Sequence, residues 1–257
     1  VTSQFPDTLL VTSEADFVKM HSLELMRCLM EQNVNARLYM CVSKEHELNH
    51  VFNINLKLQE AERCNNEEME FLILIIADAE HILQYEKKIL SQIAPQYVKK
   101  YREHKIEEDK KQELMAGYLL KMYLNIEHEE QLIINENGKP FLKAGEPFFN
   151  LSHSGNYVVL AIADCEIGVD IEHIMQCHEA TVKKVYSARM QEELTDLSGE
   201  EKNEKFSQLW TEFEARLKLK GIGFEEGWKE LRDMNCYIDT RRVENYFISV
   251  ATEEEIF

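Results

Sequence analysis

Positive charge is scarce in this sequence: 29 Lys and Arg stand against 47 Asp and Glu, a net charge of −18 over 257 residues. The deficit is not confined to a tail, since residues 1–69 carry −5 and the remainder carries −13. A field of that sign repels phosphate backbones, so no nucleic acid is expected as a partner, and any phosphate-bearing ligand needs a local cluster of cations. Paired cysteines are missing too. Cys28, Cys41, Cys64, Cys165, Cys177 and Cys236 form no CxxC pair and no zinc-like spacing, which points to reduced thiols and a cytoplasmic protein. Long hydrophobic runs are also absent. The most apolar one, Phe71–Ala77, is far below the ~20 residues that cross a bilayer, so no membrane is expected. No charged-then-apolar leader opens the sequence, and Val1 in place of methionine suggests a piece of a longer chain or a trimmed form. What is present is material for cores: 44% of residues are apolar and 30% charged, unlike a disordered protein.

The patterning predicts an α+β protein. A strand at Thr8–Thr12, a helix after Ser13, a strand at Ala36–Val42, a loop at Ser43–His50 and a helix over Leu56–Glu70 give a βαβα order for residues 1–70. The pattern restarts with a buried-type strand at Phe71–Ala77 and a helix over Ala79–Ile93, broken at Ala94-Pro95. A basic, then acidic segment, Lys99–Lys111, leads to a helix at Glu113–Leu124; a strand at Gln131–Asn135 ends in the turn Asn137-Gly138. Strands follow at Tyr157–Ala163 and Ile167–Ile171, then helices at Thr181–Leu197 and Asn203–Lys220, the latter stopped by Gly221. Tyr237–Thr240 and Tyr246–Thr252 read as a hairpin.

Three stretches carry chemistry. In Gly168–Glu172 (GVDIE), Asp170 and Glu172 are two apart on a strand, so both carboxylates leave one face roughly 7 Å apart. Such a pair repels itself, and either a solvated acidic face or a hard cation such as Mg²⁺ accounts for it. In the helix 203–220, Phe206, Leu209, Trp210, Phe213 and Leu217 make the apolar stripe, and Glu214 and Lys218 lie four apart on an adjoining face. That pair is either an exposed helix ion pair or a metal carboxylate with a phosphate contact. In Phe149–Gly155 (FNLSHSG), Ser152 and His153 sit in an expected loop before a strand, suited either to holding an anion or to plain surface. No GxSxG elbow exists to make Ser152 a hydrolase nucleophile.

Taken in order, Gly138-Lys139-Pro140, Phe149–Gly155, Gly168–Glu172 and Trp210–Lys218 with Gly221 and Gly223 resemble the motifs of the surfactin-synthetase-activating type of phosphopantetheinyl transferase. The resemblance covers about residues 72–257. It implies two similar α/β halves, about 72–149 and 150–257, with coenzyme A bound in the cleft between them. It implies Mg²⁺ held by Asp170, Glu172 and Glu214, and phosphate contacts from Lys139, Ser152, His153 and Lys218, with Lys100 and Arg102 near the nucleotide. It further implies transfer of 4′-phosphopantetheine to a serine of an acyl or peptidyl carrier protein, with Glu214, Lys218 and His153 in the catalytic roles. Two positions depart from the pattern: Phe213 stands where a lysine is usual, and Lys110, Lys111 and Gln112 stand where arginines are often seen.

Residues 5–17 resemble something else, the C-terminal part of an esterase-like α/β-hydrolase, with Asp16 and His50 at the places of a triad's acid and histidine. Without an elbow serine that triad is incomplete and hydrolysis by this chain is not expected, so residues 1–70 read either as a truncated hydrolase-like piece or as an N-terminal extension packing on the transferase. A coenzyme-A-binding or carrier-docking module without catalysis, and a metal-dependent phosphohydrolase, remain as alternatives to the transferase.

Overall fold

The computed structural model describes residues 8–13, 36–41, 72–224 and 228–253. The chain divides into two units that meet in sequence between Phe71 and Leu72. In the first, strands β1 (Thr8–Ser13) and β2 (Ala36–Cys41) pair in parallel, Thr8 opposite Ala36 and Ser13 opposite Cys41. The expected helices of this unit, Asp16 and His50 lie outside the described residues.

The second unit is built on two three-stranded antiparallel sheets. The first contains β3 (Leu72–Asp78), β6 (Phe148–Ser154) and β7 (Tyr157–Ala163) in the order β3-β7-β6. The second contains β8 (Ile167–His173), β9 (Tyr237–Val243) and β10 (Tyr246–Thr252) in the order β8-β10-β9. A short pair, β4 (Leu132–Ile134) with β5 (Pro140–Leu142), stands apart from both. Each sheet is made the same way: a strand, then helices, then a hairpin whose last strand enters the middle. The strands therefore divide between β7 and β8, whereas the expected boundary near residues 149–150 falls inside β6.

The central strands follow from composition. Val158, Val159, Leu160 and Ala161 of β7 are wholly buried, as an uninterrupted apolar run in a strand covered on both faces should be. One core joins the two sheets, with Val159, Ala161 and Ala163 of β7 against Val169 and Ile171 of β8 and Ile248 and Val250 of β10.

Several helix expectations need correction. The span expected as one helix over Ala79–Ile93 is a 3-10 turn, Ile82–Tyr85, followed by α1 (Glu86–Leu90). Neither His81 nor Tyr85 offers a capping side chain, which leaves the entry turn tight and the helix short. Pro95 is not only a breaker: it sits at the start of α2 (Pro95–Glu103), where its missing N–H costs nothing. α3 (Glu107–Leu124) begins well before Glu113, with Glu107, Glu108 and Asp109 complementing the positive end of its dipole. α4 (Glu179–Val185) and α5 (Ala188–Thr195) are separate, and the Ser187 side chain caps the latter by accepting from Met190 N. α6 (Gly199–Lys220) also starts earlier than expected, with Glu200 and Glu201 in its first turn.

α6 is the element that positions the chemistry. Phe206, Leu209, Phe213 and Leu217 bury one face against Val182, Val185, Tyr186, Met190 and Leu194, which accounts for Phe213 as core. Its opposite side, at Ala215 and Leu219, lies on Ala251 of β10. Gly168 lets β8 approach α6 backbone to backbone, since a Cβ there would overlap Ala215 O and Leu219 N. The helix ends at Gly221, φ +61°, with Ile222 N donating to Leu217 O.

Candidate active site

β6 and β8 are facing edges of different sheets, and side chains rather than a backbone ladder join them. Asn150 Oδ1 accepts from Val169 N at 2.9 Å, Ser152 Oγ from Ile171 N at 3.2 Å and Ser154 Oγ from His173 N at 3.2 Å. Both hydroxyls donate onward to the β8 carboxylates. Ser152 Oγ donates to Asp170 Oδ1 at 2.9 Å, and Ser154 Oγ to Glu172 Oε2 at 3.1 Å. From α6, Lys218 Nζ donates to Asp170 Oδ1 at 2.6 Å and to Ser152 Oγ at 2.8 Å. Three elements thus converge on Asp170, which is 2% exposed.

The expected loop at Phe149–Gly155 is therefore corrected to a strand. Its polar residues alternate because they meet the edge of a second sheet instead of water. Asn150 and Ser154 are parts of the site that the sequence reading missed, and their period-2 spacing with Ser152 is the signal that could have found them.

Electrostatics gather at the same point. Burial, reinforced by the charges of Asp170 and Glu172 and opposed by Lys218, pushes the Glu214 carboxyl from 4.5 up to about 7. Glu172 is raised as well, first by burial and then by Asp170, against the Ser154 hydrogen bond and Lys218. Glu214 stands on the stretch of α6 that packs on β8, one turn before Lys218. Asp170 Oδ2 is buried with no hydrogen-bond partner. A carboxylate oxygen stranded in that way is costly unless something positive completes it.

The donor chemistry, hard carboxylate oxygens with one acceptor left open, fits a divalent cation such as Mg²⁺. Among the described residues, however, no three His, Cys, Asp or Glu side chains are arranged as a ready-made metal cage. The Lys218 ammonium also sits on Asp170 Oδ1. The described acids therefore do not make a closed metal site by themselves.

His153 alternates to the other face of β6 and helps line an open pocket of about 440 Å³ between β6, α2 and α3. Lys100 lines it as well, 57% exposed and 3.3 Å from Glu113, together with His104, Asp109 and Gln112. Gln112 is buried and donates to Gly155 O at 2.8 Å, fastening α3 to the β6–β7 turn. Although much of His153 reaches solvent, crowding by the protein and then the charge of Lys218 hold its imidazole below the ordinary value, against the pull of Glu113, Asp109 and Asp170. Arg102 is exposed on α2 and does not line this pocket.

Lys139 stands elsewhere. It is 8% exposed, and its ammonium donates to Leu219 O at 3.0 Å, to Ile167 O at 3.2 Å and to Glu166 Oε2 at 3.4 Å. Burial lowers its pKa despite Glu166. The structure thus brings Ser152, Asp170, Glu172, Glu214 and Lys218 together, places His153 and Lys100 on the adjoining pocket, and keeps Lys139 and Arg102 out of both.

This arrangement lies largely within a stretch with known relatives. Residues 166–255 match the family model of the 4′-phosphopantetheinyl transferase superfamily. Among individual proteins, the chain is 39% identical over 101 residues to 4′-phosphopantetheinyl transferase psf-1 of Bacillus pumilus, covering 38% of this chain and 43% of that protein. It is 33% identical over 111 residues to 4′-phosphopantetheinyl transferase gsp of Aneurinibacillus migulanus, covering 43% of this chain and 46% of that one. It is 26% identical over 143 residues to 4′-phosphopantetheinyl transferase Sfp of Bacillus subtilis (strain 168), covering 53% of this chain and 64% of that one. The chain spans less than two thirds of the length of each of these relatives. No helix among the described residues is long and apolar enough to cross a membrane.

Proposed function

We propose that the chain is a 4′-phosphopantetheinyl transferase, moving the 4′-phosphopantetheine arm of coenzyme A to a serine of an acyl or peptidyl carrier protein and releasing 3′,5′-ADP. The observation that carries this reading is the meeting at buried Asp170 of Ser152 from β6 and Lys218 from α6, with Glu172 and Glu214 raised beside it. The similarity of residues 166–255 to the transferase superfamily supports the same reading. The common strand order of the two sheets supports two similar α/β halves dividing between β7 and β8.

In this reading the carrier serine oxygen bonds to the pantetheine-side phosphorus as the bridging P–O bond breaks. The electron pair leaves on 3′,5′-ADP. Glu214, with a carboxyl near neutrality, takes the serine proton directly or through a water. Lys218 and His153 face the phosphates, Ser152 holds Lys218 and Asp170 in place, and Lys100 serves the nucleotide end from the pocket wall, with Arg102 nearby on α2. Asp170, Glu172 and Glu214 would hold Mg²⁺, which would supply charge neutralisation during the transfer. Positioning and electrostatics provide most of the rate.

The test is mass spectrometry of an apo carrier protein incubated with the chain, coenzyme A and Mg²⁺. A gain of the phosphopantetheine mass, abolished by chelator, is expected. Coenzyme A binding without that gain would make the chain a non-catalytic binding module, and phosphate release from simple esters would make it a phosphohydrolase.

A further inference from the structure

Lys139, a cation of the expected phosphate-binding set, already has a protein acceptor for each of its donors. An ammonium has three donors, and those of Lys139 meet three acceptors: Leu219 O, Ile167 O and Glu166 Oε2. Leu219 is next to Lys218 in the last turns of α6, and Ile167 opens β8 three residues before Asp170. The same short loop holds the helix end a second time. Asn135 Nδ2 and Asn137 Nδ2 both donate to Gly221 O, at 3.0 and 2.9 Å, while Asn135 Oδ1 accepts from Lys139 N at 2.8 Å. Carbonyls at a helix C-terminus have no partner within the helix, so a buried cation there completes what the helix cannot. The tie is made where Gly168 brings the two backbones together.

We infer that Lys139 is a positioning residue, which fixes the end of α6 on β8 and so sets the Lys218–Asp170 contact, rather than a ligand of the coenzyme's phosphates. The activity arm of this inference rests on the proposed transferase reading; its structural arm does not. Lys139→Met leaves Leu219 O and Ile167 O without the cation. Lys139→Arg keeps the charge but asks a larger, planar head to fill the same buried space.

The experiment compares both variants with the unaltered chain in two measurements. One is amide hydrogen exchange at Gly221 and Ile222, whose N–H groups close the helix end. The other is kcat and KM for coenzyme A in carrier-protein loading. Both variants are expected to speed exchange at Gly221 and Ile222 and to lower kcat roughly tenfold or more, with KM changed less than about threefold. Should KM rise tenfold or more in Lys139→Met with kcat and exchange unchanged, and Lys139→Arg restore it, Lys139 is a phosphate ligand and the inference is overturned. If the unaltered chain loads no carrier protein, the transferase reading fails alone, and the exchange data still decide the role of Lys139. Should Lys139→Met not fold, Lys139→Gln, whose shorter neutral amide cannot meet all three acceptors, replaces it. Faster exchange with lower kcat supports the tie, and unchanged values for both overturn it.

Discussion

The two three-stranded sheets share one strand order and differ in what their first strands do. β3 opens the first sheet as an outer edge, with Ile73 and Ile76 exposed and no acidic residue before Asp78. β8 opens the second as an edge facing β6, and it buries Asp170 among Ser152, Lys218 and two other acids. The same position in the same topology is apolar surface in one and a charged centre in the other. Topology supplies the place; the neighbouring edge decides whether a carboxylate there is stranded in solvent or held for chemistry.

The contrast can be broken hardest at Asp170. Asp170→Asn should lower transfer by about 10³-fold or more, read as loaded carrier protein, because the shared acceptor of Ser152 and Lys218 loses its charge. Glu214→Gln comes next, with a loss of roughly 10²-fold in kcat if it is the base. The same variant tests the electrostatics in the unliganded protein. Glu214 binds its proton more tightly folded than unfolded, so the folded state is favoured below pH 4.5 and loses stability as pH rises toward about 7. The melting temperature of Glu214→Gln relative to the parent should accordingly be higher at pH 8 than at pH 4.5. An unchanged difference would mean that Glu214 is not held among the β8 acids.

Gly168→Ala should act through packing, costing about 2–4 kcal/mol in chemical denaturation as β8 is pushed off α6. Ser154→Ala frees one oxygen of Glu172 and one amide of β8, and a loss of about 1 kcal/mol with at most roughly tenfold in kcat is expected. The smallest effect belongs to the other side of the comparison. Ile73→Thr on the exposed edge of β3 should change stability by less than about 0.5 kcal/mol and leave kcat alone.

What the sequence made legible follows the same division. β7 could be read as a strand from its short apolar run, and α6 because its apolar stripe repeats at helical spacing. Burial could not be read the same way: the similar run at Phe71–Ala77, expected as a buried-type strand, forms β3 with Ile73 and Ile76 exposed because it lies at a sheet edge. β6 could not, because polar alternation is read as exposure unless the second sheet is known to lie beside it. Pro95 reads in the sequence as a break and is also a beginning, since one residue type serves both termini of helical segments. The acids Asp170, Glu172 and Glu214 were legible as a set only through their motifs, for spacing alone left the strand pair and the helix pair as ordinary surface. Lys139 lay furthest from reach. Its partners are main-chain carbonyls, and no side-chain pattern records where a carbonyl will point.

The side-chain seam between β6 and β8 has one more use. The amide protons of Val169, Ile171 and His173 each end on an oxygen of Asn150, Ser152 or Ser154, and two of those oxygens lean on Asp170 and Glu172. A nitrogen-15 spectrum would therefore contain its own gauge: whatever docks on the acids perturbs the resonances of Ile171 and His173 through a single hydroxyl, while Val169, tied to an amide with no such onward bond, serves as the internal reference.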